Sequence, residues 1–277
     1  GSMAALLRAC LVTGYDVQLP AGWEEPFVET NNYACFRAVK AGAKFFQVND
    51  NVDPDVTEMT MFDSMSDAET GTGSNGSNFF GKYVGGKPTD WFVVADENTC
   101  IVLLHGGQYG WGYEAFGEYY SYLASDPSKY FLMGHHTATS YNMMVTSSFT
   151  RPTSLATSVT SGHIALSSGV FTTSPMYGKC ILVSNRVENY TNLTSHLAAY
   201  DPSIAYTVFP VKFFASSEGA VRGELRGTYI PEAQRPYTSG TTFTNNGKTY
   251  LAIDINDNYS SVWQIFIDIT GSWEESV

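Results

Sequence analysis

The side chains that could do chemistry fall into a few clusters. Asn49, Asp50, Asn51, Asp53 and Asp55 gather oxygen ligands of the kind a hard cation such as calcium takes. An EF-hand loop needs a glycine at its sixth position, and Pro54 and Val56 occupy that neighbourhood; the flanks do not read as helices. The expectation is a solvated acidic turn following a strand over 44–48, with Asp53 and Asp55 as loop residues. Asp50, Asp53 and Asp55 are the calcium ligands should several loops assemble a site. Asp254, Asn256, Asp257 and Asn258 carry the same chemistry and fall where a hairpin turn is expected. His105-Gly106-Gly107 has the composition of an oxyanion loop, but the G-x-S-x-G nucleophile elbow is missing, so a glycine turn closing a strand is expected. His135 and His136 are adjacent and would point to opposite faces of a strand, which prevents them from sharing a metal; His163 and His196 have no spacing partner. Cys10, Cys35, Cys100 and Cys180 are too scattered for a zinc site or a disulfide framework and read as small buried groups. No catalytic residue, metal site or cofactor emerges, and the chain reads as a non-enzyme.

The aromatic residues are more informative. Tyr109, Trp111, Tyr113, Phe116, Tyr119, Tyr120 and Tyr122 crowd one glycine-rich stretch. Exposed rings of this kind stack on sugars, while buried ones pack between sheets or against a neighbouring subunit. Glu114 and Glu118 lie among them and are the carboxylates a glycan-cleaving site would use, provided they flank one bond at a fixed separation.

The elements that must position these groups are mostly strands. Leu6, Leu7, Cys10 and Leu11 recur at helical spacing, so a short amphipathic helix over 3–12 is predicted, stopped by Gly14. Beyond it the chain is a series of short apolar runs at 33–39, 44–48, 91–94, 100–104, 130–133, 179–183, 207–214 and 249–255. The runs at 91–94 and 100–104 are continuous and flank Ala95-Asp96-Glu97-Asn98-Thr99, which predicts a hairpin covered on both faces. In the 261–269 run, Trp263, Ile265, Ile267 and Ile269 alternate with Val262, Gln264, Phe266 and Asp268, the pattern of a half-buried antiparallel strand. The Gly/Ser/Thr/Asn-rich stretch at 70–78 and Gly85-Gly86-Lys87-Pro88 read as exposed loops. Together these predict a mainly β chain, an antiparallel β-sandwich-like fold with a short N-terminal helix. A single domain over 1–277 is expected, with the Ser/Thr-dense stretch 137–174 as the place where two lobes would divide.

Composition narrows the function. The chain has 277 residues, with 15 Lys+Arg against 27 Asp+Glu for a net charge of −12, and 14% aromatic residues on only 15% charged ones. Such a sequence is too aromatic and too sparsely charged to be disordered. Its acidity and lack of a basic stripe argue against nucleic acid as a partner. No apolar run reaches the ~18 residues of a membrane helix, and no leader peptide is expected.

Seven segments carry a family likeness. They are Leu6-Leu7-Arg8-Ala9-Cys10-Leu11-Val12-Thr13-Gly14-Tyr15, Ala21-Gly22-Trp23 with Pro26-Phe27, Met65-Ser66-Asp67-Ala68-Glu69-Thr70-Gly71-Thr72-Gly73, Val93-Val94-Ala95-Asp96-Glu97, Ala115-Phe116-Gly117-Glu118-Tyr119-Tyr120-Ser121-Tyr122, Val221-Arg222-Gly223-Glu224-Leu225-Arg226-Gly227 and Gly247-Lys248-Thr249-Tyr250-Leu251-Ala252. In this order they resemble a family of tailed-bacteriophage virion proteins; residues 137–203 match it only loosely. The resemblance implies a structural protein of the virion, in the tail or its host-contact end, partnered by other virion proteins and copies of itself. A capsid decoration protein is the first alternative. A carbohydrate-binding or glycan-cleaving protein that meets a host surface glycan is the second.

Overall fold

The computed structural model describes residues 2–28, 31–53, 56–81, 90–105, 111–126, 128–134, 161–165, 171–172, 176–178, 208–215, 220–231, 237–257, 261–271 and 273. The chain opens with α1 (Met3–Arg8) and one π-helical turn (Ala9–Thr13), close to the span its periodicity predicts. Met3, Ala4, Leu7 and Leu11 face the core. In the widened last turn the Thr13 hydroxyl donates to the Arg8 carbonyl at 3.3 Å, and Gly14 leaves the helix at φ 92°.

The first sheet holds β1 (Tyr33–Phe36), β2 (Phe45–Asp53), β3 (Val56–Met65) and β4 (Gly71–Gly81), antiparallel and in that order. Two sequence expectations are corrected here. The acidic stretch belongs to β2 up to Asp53, which pairs with Val56, so Asp53 is a strand residue; Asp55 lies outside the described residues. Asp50 is occupied by folding. Its carboxylate accepts from the Ser2 hydroxyl at 2.8 Å, the Ala4 N–H at 3.0 Å and the Thr57 hydroxyl, while the Ser2 hydroxyl accepts from the Ala5 N–H at 3.1 Å. Together Ser2 and Asp50 satisfy amides that the first turn of a helix leaves without partners. The Gly/Ser/Thr/Asn stretch is likewise a strand, β4, at the margin of the sheet. Backbone pairing with β3 needs no particular side chain there, and a polar sequence suits an edge.

The middle sheet contains β5 (Asp90–Ala95), β6 (Thr99–His105), β7 (Trp111–Glu118), β9 (Tyr130–Gly134), β10 (Ser161–Ala165) and β11 (Phe171–Thr172), in the order β11-β10-β9-β7-β6-β5. The short β8 (Tyr120–Ser121) leaves this sheet to pair with the third. The predicted hairpin is present as β5–β6, with Asp90 opposite His105 and Ala95 opposite Cys100. Its turn is fixed by the Asp96 carboxylate, which accepts from the N–H groups of Asn98 and Thr99 at 2.8 and 2.7 Å. Gly117 packs across it at φ +121°, where an added Cβ would stand 2.2 Å from the Asn98 carbonyl oxygen. In the 137–174 stretch, β10 and β11 extend the middle sheet.

The third sheet runs β12-β13-β14-β17-β16-β15, from β12 (Met176–Gly178), β13 (Val208–Ala215), β14 (Ala220–Pro231), β15 (Thr242–Asn245), β16 (Lys248–Asp257) and β17 (Ser261–Asp268). Asp254, Asn256 and Asp257 pair in register with β17, so they are strand residues and not the expected turn; Asn258 lies outside the described residues. The 179–183 run, Gly85-Gly86-Lys87-Pro88, His135-His136, His196 and Cys180 lie outside them too.

The three sheets stack in a sandwich-like order because the middle one is apolar on both faces. On β6, Cys100, Val102 and Leu104 pack with Leu7, Leu11, Phe46, Val48 and Met59 of the helix and first sheet. Ile101 and Leu103 pack with Leu251, Ile253, Ile265 and Ile267 of the third. Full burial of one Leu or Ile contributes roughly 1.5–3 kcal/mol, so this double packing is the main stabilising feature. β17 departs from its half-buried expectation. Ile265 and Ile267 enter the core, and the opposite face is covered as well, by packing of Phe266 against Tyr250, Ala252, Tyr237 and Phe243. Gln264 is buried there and donates to the Tyr237 carbonyl at 2.7 Å. Ile269 lies past the strand end and is exposed; the Trp263 side chain is outside the described set.

Candidate functional site

The aromatic stretch is mostly core. Trp111, Tyr113, Phe116 and Tyr119 are buried on β7 and just after it, the first, second and fourth against the third sheet and Phe116 against Trp23 and Phe46. These four rings offer no face to a ligand, because both faces of β7 are covered by other sheets. Tyr109 lies outside the described residues. Tyr120 and Tyr122 stack edge to face at 5.9 Å, and Tyr122 is exposed with its hydroxyl on Glu224. Below them is a sealed polar knot. Asp126 accepts from the Tyr119 hydroxyl at 2.7 Å, from Ser121 and from the Arg222 guanidinium at 2.9 Å, which ties β8 to β14.

The two carboxylates among the rings do not act as a pair. Glu118 meets the Lys40 ammonium at 2.5 Å. Glu114 is 4% exposed, one of its oxygens has no hydrogen-bond partner, and burial holds its carboxyl well above the usual range. It therefore stays protonated inside the face that packs on the first sheet, out of reach of a sugar. His105 ends β6, stacked 4.9 Å from Trp111 with Asp90 3.5 Å from its Nδ1; Gly106 and Gly107 are outside the described residues. His163 is on β10 opposite Leu132. Among the described residues no group of His, Cys, Asp and Glu is arranged to hold a metal ion.

An open feature lies elsewhere, at the outer margin of β5. Among the described residues β5 bonds to β6 on one side and to no strand on the other. A cavity of about 390 Å³ runs along that margin. Its floor is Trp91, Val93, Val94 and Ala95; one wall is Tyr15 and 18–21, the other Asp268, Ile269, Gly271 and Trp273. The first wall is held by the bridge between Tyr15 and Gln18 and by the Tyr15 ring, edge-on to Trp91 at 5.2 Å. The second is held by Trp273, whose Nε1–H donates to the Asp268 carbonyl at 2.8 Å and whose indole fills the space above Gly227. Gly227, at φ +67°, leaves room for it, since a Cβ there would be 2.1 Å from the ring.

The walls carry exposed apolar side chains: Leu19 is 90% exposed, and Tyr15 and Ile269 are also on the surface. Cys10 lines the slot, and burial pushes its thiol up, so it stays protonated and serves as an apolar group. The sequence carried a signal for this site that its apolar residues alone did not resolve: Val17 and Leu19 lie between Gly14 and Pro20, outside any helix or strand. Among the described residues two cations beside the slot are engaged, Arg226 with Asp96 at 3.3 Å and Lys248 with Asp268 at 2.8 Å, a bond that also raises the Lys248 pKa. Asp16, Asp90 and Glu97 stand at the two ends of β5 or beside the wall.

No protein-family model matches the chain, and no curated protein matches it. The described helix is far too short to cross a membrane.

Proposed function

We propose that this protein is a non-enzymatic structural component of a tailed-phage particle, in the tail or its host-contact end, where it packs against other virion proteins and copies of itself. The observation that carries the assembly part of this reading is the slot along β5. It combines a strand margin that pairs with no other described strand with large exposed apolar side chains, a combination folded proteins otherwise guard against. The phage part is supported by the seven ordered segments of the sequence. The acidic balance suits the outside of a particle better than a surface that faces packaged DNA.

Immunogold labelling of intact particles tests this directly. Label on the tail or its tip is the expected result, label on the capsid shell would favour a decoration protein, and particles without the protein would sink the structural reading. The Tyr120–Tyr122 pair beside Glu224, in which Tyr122 is exposed, favours a second reading, contact with a host surface glycan, which a bacterial glycan array tests.

A further inference from the structure

We propose that the slot along β5 takes one extended polypeptide segment of a partner protein, added as a further strand of the middle sheet, with apolar side chains on both of its faces and Lys or Arg at its ends. This rests on the assembly reading and narrows it to a single contact. The floor supplies the first reason. Trp91–Ala95 are only partly buried, pair on one side without a bulge, and contain no charge or proline to keep a strand away. A chain laid beside them gains main-chain hydrogen bonds and continues the sheet.

The walls supply the second reason. An added strand turns alternate side chains to opposite faces. Each face of the slot is lined with apolar groups, Leu19 and Ala21 on one side and Ile269 and Trp273 on the other. The same walls argue against the edge of another folded sheet. Leu19 stands 90% exposed at the rim, and a second copy would bring its own rim against it. A single extended segment meets no such obstacle.

Charge gives the third reason. Asp90 and Glu97 stand before and after the floor residues in the chain and Asp16 follows Tyr15, with Asp90 3.5 Å from the His105 Nδ1, while Arg226 and Lys248 are engaged with Asp96 and Asp268. Cationic ends on the incoming segment complement this arrangement, and anionic ends oppose it.

The test uses the full chain and a fluorescently labelled probe peptide, acetyl-Lys-Val-Ala-Val-Ala-Val-Lys-amide, read by polarisation. Saturable binding is expected, at least ~10-fold weaker when alternate peptide nitrogens are methylated or when Glu replaces both Lys residues. The Leu19→Asp chain, altered at a surface position that folding does not use, should also bind ~10-fold more weakly with an unchanged circular dichroism spectrum. No saturable binding at millimolar peptide, or equal binding of the methylated peptide, would overturn the proposal. So would concentration-dependent self-association in sedimentation that Leu19→Asp abolishes, since that would assign the slot to a second copy. Particle labelling keeps the two readings separable. Labelled particles without peptide binding remove only the strand addition, and binding without labelled particles removes only the virion assignment.

Discussion

β5 and β6 are two halves of one hairpin, both written in continuous apolar runs, and they meet different fates. Cys100 to Leu104 on β6 are buried on both faces, whereas Trp91 to Ala95 on β5 keep part of their surface in solvent. Composition does not separate them; neighbours do. β6 has β5 on one side and β7 on the other, so its backbone is paired along both edges, and the first and third sheets cover its two rows of side chains. β5 is also apolar on both rows, and among the described residues it pairs with no second strand. The lesson is that an apolar run reports which faces of a sheet are covered, and says nothing about which strand is last.

The largest expected effect comes from truncating the inner strand. Leu103→Ala should cost about 2–5 kcal/mol in urea unfolding, because the cavity opens between two packed sheets. The matching change on the margin, Val94→Ala, should cost about 1 kcal/mol or less, since Val94 is only partly buried. Equal losses would erase the contrast.

A second contrast lies on the other flank of β6, at Glu114, directly opposite Val102 on β7. Its folded-state pKa is raised above the ordinary 4.5 by burial, so the folded chain holds a proton that the unfolded chain gives up. Stability is therefore greatest below that value and falls as pH rises, by up to about 1.4 kcal/mol per unit until the folded pKa is reached. Glu114→Gln should remove this slope and be more stable than the parent at pH 8, with little difference at pH 4. Unfolding midpoints that track each other across pH would contradict the placement of Glu114. The smallest expected effect is on stability at the slot itself, where Leu19→Asp should change unfolding by no more than about 0.5 kcal/mol.

Much of the fold was legible because local pattern and burial agree. The 100–104 run and the alternation of Ile265 and Ile267 mark strands in any antiparallel setting. What was not legible depended on partners far away in sequence. Nothing near Gly71 to Asn78 announces a strand, yet the backbone of β3 is enough to make one. β3 itself alternates Thr57, Met59 and Met61 inward, a period-two signal diluted by the polar residues between them. Asp50 has the look of a cation ligand, and only the arrival of α1 over β2 turns it into a cap. The rings at Trp111, Tyr113, Phe116 and Tyr119 could have served a ligand or a core, and the sheets on either side decide for the core. The slot could not be read at all from β5, because its walls come from opposite ends of the chain.

The margin of β5 carries the account, and amide hydrogen exchange along the hairpin tests it most directly. In the chain alone, alternate amides of Trp91 to Ala95, those turned away from β6, should exchange rapidly while those of Ile101 to Leu104 stay protected; adding the Lys-flanked peptide should slow the β5 amides and leave β6 unchanged. Protection of every β5 amide equal to that of β6 in the chain alone would show that the margin is already covered, and the account would be wrong.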